Sequence, residues 1–225
     1  MRPDQHDGEL TQAPALLAQL PLGGRVVTGD ALSCQRSLCD QIRRAGADHV
    51  VIVKENYPTM RADIELLFAT PPPHEVIRSA EQTGRHGGRG ETRRSAVSAG
   101  LAAYLAWPGV GLVGQVSRTV THTGQTMTDT RIVLTSLAAE TPAAEVLALV
   151  RGHWRIENRL HYVRDVTMDE DRGRWRAGAA PQVAATLRNV VLSLLRAVEV
   201  PNIAAARRTL ARQRRALHLL GWLPA

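Results

Sequence analysis

The chain of 225 residues has almost no lysine: Lys54 stands alone against 27 arginines. Aromatic residues make up only 4% of it. Two cysteines, Cys34 and Cys39, are too few for a disulfide scaffold, and five residues apart on one expected helix they do not face each other well enough to bridge. Both read as reduced thiols. No apolar run approaches the ~20 residues that a membrane span needs. The opening Met1-Arg2-Pro3-Asp4-Gln5-His6-Asp7 is polar and acidic, without the apolar region of a secretory signal, so the expected location is the cytoplasm. A hydrophobic content of 44% excludes a disordered polar tail.

What the chain has in excess is positive charge, and the excess is one-sided. Residues 1–150 carry 14 cations against 15 acids, and residues 151–225 carry 14 arginines against 6 acids. The net +7 therefore arises entirely in the last third, which is the electrostatic footprint of a polyanion partner. A solvated helix face is the plainer reading of Arg207, Arg208, Arg212, Arg214 and Arg215.

Periodicity places the elements. Residues 13–20 read as a short helix stopped by Pro21 and Gly23-Gly24. Val26-Val27-Thr28-Gly29-Asp30 is a short β-branched strand ending in a carboxylate. A helix from Ser33, its expected N-cap, to Arg44 follows, with Gly46 just past its end. Residues 49–54 form a second buried strand, so 25–54 is one strand–helix–strand unit with a parallel pair. A third helix spans 59–68. Residues 84–90, Gly-rich and basic, read as a loop; no P-loop Lys-Ser/Thr follows. Strands are expected at 91–98, 110–122 and 126–137, with a turn at Thr123-Gly124-Gln125. From Thr141-Pro142 onward the pattern is helical: one helix over 143–162, an irregular acidic stretch over 165–180, and a second long helix over 181–198 burying Val183, Leu187, Val190, Val191, Leu194 and Leu195. The expected division is 1–83 for a catalytic-core portion, 84–140 for a β-rich insertion and 141–225 for a helical part.

Two carboxylates stand out. Asp30 follows a strand of a βαβ unit, and ligands of open α/β sheets bind at the carboxyl ends of strands. Glu157 lies in His153-Trp154-Arg155-Ile156-Glu157-Asn158, on the apolar face with Ile156 and Leu160. From pattern alone, a lone Asp after a strand is more often a turn residue or cap, and a Glu on a helix is more often solvated or paired with arginine. Asp165, Asp169, Glu170 and Asp171 could add an acid, or form a solvated turn pairing with Arg172, Arg174 and Arg176.

Several blocks together resemble one family. They are Val26-Val27-Thr28-Gly29-Asp30-Ala31-Leu32 with Gln35, then Val53-Lys54-Glu55-Asn56, then Arg151 to Asn158 with Leu160-His161. Asp165 to Asp171, Ala184 to Asn189 and Asn202 to Ala206 complete the set. The family is the ISAs-type insertion-sequence transposases, which include the H-repeat-associated proteins. The resemblance implies an RNase H-like α/β fold and a DDE enzyme that cuts and rejoins DNA at insertion-sequence ends. In such an enzyme two Mg²⁺ ions, held by two Asp and one Glu, stabilise the attacking and leaving oxygens. It matches Asp30 to the second Asp and Glu157 to the Glu. It implies DNA contacts at Lys54, Asn56, His153, Arg164 and Arg188, and as partners DNA, a second copy or a full-length transposase. The wider group's Tyr-x2-Arg-x3-Glu-x6-Lys pattern falls here on Val150, His153, Glu157 and Arg164. Asp7-Gly8-Glu9 looks like the family's first Asp-Gly-Lys strand. However, the 22 residues between Asp7 and Asp30 are too few for two strands, a helix and their connections. The expectation is a copy lacking the first strands and the first Asp, and so either an impaired transposase or a non-catalytic DNA-binding remnant.

Overall fold

The computed structural model describes the backbone of residues 5–86, 88–156, 161–170, 172–174 and 177–210. It divides into two compact units, residues 1–153 and 154–225.

The first unit opens with helix α1 (Gln5–Leu17), strand β1 (Val26–Gly29), helix α2 (Arg36–Arg44), strand β2 (Asp48–Val53) and helix α3 (Pro58–Ala69). Four strands follow, β3 (Arg78–His86), β4 (Arg89–Ser98), β5 (Leu112–His122) and β6 (Gln125–Thr135), and then helix α4 (Ala143–Ile156). Asp7 lies inside α1, not in a strand. Of residues 84–90, expected as a loop, 84–86 instead end β3 and 89–90 begin β4, with His86 paired to Arg89; residue 87 lies outside the described residues. The expected boundary at 83/84 falls inside β3.

All six strands form one mixed sheet in the order β1-β2-β6-β5-β4-β3. β1 and β2 are parallel, with Thr28 opposite Val50. β6 pairs antiparallel with β2, Val50 opposite Thr135, so the later strands extend the same sheet. Thr123 and Gly124, at φ 49 and 80, make the tight turn between β5 and β6. Two positive φ values in succession suit a right-twisted hairpin, and Gly adopts one without cost. Gly46, at φ +73, ends α2 as the sequence implies.

β2 is buried on both faces, as a continuous Val-Val-Ile-Val run requires. On one face Val51 and Val53 pack with Cys34, Cys39, Ile64, Leu67, Trp107 and Ile132. On the other, Val50 and Ile52 pack with Val97, Val133 and the α4 residues Val146, Leu147 and Val150. Beyond the helices the sheet continues without cover: β6 is exposed from Gln125 to Thr130 and buried from Ile132 onward. Its sequence changes at the same point, from Gln-Thr-Met-Thr-Asp-Thr to Ile-Val-Leu.

The second unit holds a π-helical turn (Val163–Thr167) and helices α5 (Ala180–Ala197) and α6 (Ile203–Leu210). In α5, Ala184, Leu192 and Leu195 are buried. Val183, Leu187, Val190, Val191 and Leu194, expected inside, are 42–57% exposed. Periodicity marks an apolar stripe but does not supply a partner for it; only Leu195 of the expected set is covered. Among the described residues no helix is long and apolar enough to cross a membrane.

Candidate active site

β1 delivers Asp30 to the carboxyl end of the parallel pair, and the following loop turns sharply back. Asp30 Oδ1 accepts hydrogen bonds from Leu32 N at 3.0 Å, Ser33 N at 3.2 Å and Ser33 Oγ at 3.3 Å. Ser33 therefore closes this turn; the residue at the α2 N-cap is Gln35, without a side-chain cap bond. Gly29 permits the close return, since a methyl there would stand 2.5 Å from Ser33 Cβ.

A second loop holds the first. Asn56 Nδ2 donates to Ala31 O at 2.9 Å and Cys34 O at 3.5 Å, while its Oδ1 accepts from Lys54 N at 3.1 Å. Asn56 thus fastens the end of β2 to the Asp30 loop, its amide engaged within the protein. Lys54 is exposed beside it. Behind the loop Cys34 and Cys39 are buried and free. Burial, reinforced by Cys39, pushes the Cys34 thiol up to about 12, so it stays an unreactive neutral filler.

From the opposite side α4 meets β1. His153 Nδ1 and Thr28 Oγ1 are 3.2 Å apart, two residues before Asp30. Asp30, Lys54, Asn56 and His153 therefore lie on neighbouring segments around the ends of β1 and β2. Glu157 lies outside the described residues. Among the described residues no three His, Cys, Asp or Glu side chains gather as a metal site. Asp30 is an exposed carboxylate of the type that suits a hard divalent cation. By itself it does not make up the donor set of such an ion.

In the second unit Asp169 and Glu170 are engaged by arginines. Arg164 grips Glu170 with both prongs of its guanidinium, Nε to Oε2 at 2.8 Å and Nη2 to Oε1 at 2.9 Å. Arg188 Nη1 lies 4.0 Å from the same carboxylate. Arg164 holds Glu170 below the usual carboxylate range. Asp169 pairs with Arg172 at 3.6 Å. Glu170 is thus an ion-pair acceptor, and Arg164 and Arg188 share its charge; Asp171 lies outside the described residues.

One cluster has no counterpart in the sequence reading. On the sheet face that carries α4, Arg93 of β4 stands directly opposite Arg118 of β5. Glu91 accepts from both: Arg93 Nη2 lies 2.8 Å from Glu91 Oε1, and Arg118 Nε bonds the same oxygen. Arg118 is 25 residues from Arg93 and 27 from Glu91 along the chain, so only the strand register reveals the cluster.

The transposase DDE domain family model matches residues 3–194. The chain is 28% identical over 207 residues to "Putative transposase YncI" of Escherichia coli O157:H7, covering 87% of this chain and 52% of that one. It is 25% identical over 205 residues to the "H repeat-associated putative transposase YhhI" of Escherichia coli K12, covering 87% and 53%. A similar match, 25% over 205 residues, joins it to "Putative protein YbfL" of the same strain. The chain belongs to the DDE transposase family, within its ISAs-type, H-repeat-associated group. It spans about half the length of the curated relatives it matches.

Proposed function

We propose that this chain carries the core of an RNase H-like DNA transposase that cuts and joins phosphodiesters at insertion-sequence ends. Its carboxylates Asp30 and Glu157 would be ligands of Mg²⁺. The observation that carries this reading is the position of Asp30: exposed at the carboxyl end of β1, fixed by its own turn and clamped by Asn56. Preorganised loops of this kind at strand ends are where α/β sheets do chemistry. Family membership supports a divalent metal, and the sequence supplies Glu157 four residues after His153. The described residues provide one carboxylate to such an ion, so no chemical step is derived through it. Lys54 and His153, beside Asp30, would meet the DNA backbone. Partners follow the same reading: DNA, and a second copy or a longer transposase.

The test has two readouts. With Mn²⁺ as probe, paramagnetic broadening should centre on residues 29–33 in wild type and disappear in Asp30→Asn. Mg²⁺-dependent nicking of plasmid DNA should be lost in both Asp30→Asn and Glu157→Gln. Nicking that survives either substitution overturns the site assignment. DNA binding without nicking or Mn²⁺ broadening would make the chain a non-catalytic DNA-binding protein, the reading that its arginine excess supports.

A further inference from the structure

The uncovered half of the sheet carries more cationic than anionic groups on one face. Successive side chains of a strand alternate between faces, so Glu91 and Arg93 share a face and Arg94 takes the other. Arg93 and Arg118 are directly opposed in register, an arrangement that like charges make unfavourable. Glu91 bridges them. A third guanidinium approaches from α4: Arg151 lies within hydrogen-bond reach of Gln82 Oε1, at 3.5 Å, and Gln82 is the register partner of Arg93 on β3. Against its burial, Arg118 and Arg93, and last Arg151, hold Glu91 below the usual carboxylate range; burial, then the charges of Arg151 and Arg118, opposes the protonated form of Arg93. Two guanidinium groups thus share one carboxylate, and Arg151, held at Gln82, adds a third positive charge beside them. Arg131, the other arginine on this face of β6, already has Asp129 at 2.9 Å. Arg118 remains 55% exposed, so the cluster is open to solvent.

Guanidinium groups held this close without enough carboxylate are stabilised by an added anion. Their planar forks match tetrahedral phosphate oxygens. We propose that Arg93, Arg118 and Arg151 form a phosphate-binding site that takes a backbone phosphodiester of DNA. The proposal rests on the reading of the chain as a DNA-acting protein and gives it a second contact surface, on the extended sheet. Glu91 occupies part of the site in the free protein and competes with the incoming phosphate.

The experiment measures binding of a fluorescent duplex to the full chain by anisotropy across a salt series, with inorganic phosphate as a second arm. Arg118→Gln/Arg151→Gln should weaken DNA binding and lower the slope of log affinity against log salt by about 2, one for each contact removed. Glu91→Gln should tighten binding, the opposite of what loss of a merely structural ion pair would give. Arg94→Gln, paired with Glu81 on the other face, should leave it unchanged. Circular dichroism identifies any variant that fails to fold, and Arg118→Gln alone, at the most exposed of the sheet positions, then stands in for the double variant with a slope change of about 1. Unchanged affinity and slope in a folded double variant overturn the proposal while leaving DNA binding intact. Wild type that binds no DNA overturns the underlying reading instead. Variants that lose only inorganic phosphate make the ligand a free anion and also overturn it.

Discussion

His49 offers a quantitative test of the fold because it is fully buried with both ring nitrogens unpartnered. It follows Asp48 at the start of β2, and Thr135 and Ser136 side chains bond its backbone but not its ring. Burial, then the nearby Arg43, pushes its pKa down to about 4, while Asp48 pulls weakly the other way. In the unfolded chain the ring takes up a proton near its ordinary value of about 6.5. Between those two values the unfolded state binds a proton that the folded state refuses, so stability falls as pH falls. The loss is about 2 kcal/mol at pH 5 and about 3 kcal/mol at pH 4 relative to pH 7. It levels off below the folded value. His49→Leu removes this term: urea melts of wild type and variant should agree within about 1.5 kcal/mol at pH 7. They should then diverge by the stated amounts on acidification, the variant becoming relatively more stable. Carboxylates such as Glu170, whose folded values are lowered, titrate in both proteins and cancel in the difference. If the two stability curves run parallel from pH 7 to pH 4, His49 is not buried as a neutral ring.

Other perturbations separate packing from the site. Leu147→Ala, deep under the sheet on α4, should cost about 2–5 kcal/mol and lower the melting temperature accordingly. Gly29→Ala should cost about 1–3 kcal/mol because the new methyl meets Ser33, and should shift the amide resonances of residues 30–34. Asn56→Ala should release the Asp30 loop, seen as faster amide exchange at Leu32 and Ser33, for about 1–3 kcal/mol of stability. Thr28→Val should cost about 1 kcal/mol and change the His153 ring shifts; unchanged shifts would mean the two side chains do not meet.

The strand–helix–strand unit was legible because buried parallel strands are written as apolar runs, and β2 is such a run. β3 was not legible. Arg-Ser-Ala-Glu-Gln-Thr-Gly-Arg-His has no alternating apolar pattern, because it is an edge strand running largely beyond the covering helices. The α5 stripe was legible as a pattern, but whether a partner covers it depends on tertiary packing that periodicity does not report. Asp30 could be found from its place after a strand. The clamp by Asn56 joins loops whose contact depends on the parallel pairing. The arginine trio depends on register across β4 and β5 and on the approach of α4, so no local motif announces it.

The Thr135 hydroxyl donates to the His49 carbonyl across 86 residues of chain. β2, the most deeply buried strand, is therefore complete long before its antiparallel neighbour exists. During synthesis at about 5–20 residues per second, one edge of a Val-rich strand waits several seconds for β6 to emerge. The intervening β3–β5 segment must be made, and its hairpins turned, before that edge closes. Such long-range closure is slow and leaves a sticky edge open to other chains. The nascent protein is thus most vulnerable to misassembly at the strand that ends up best protected.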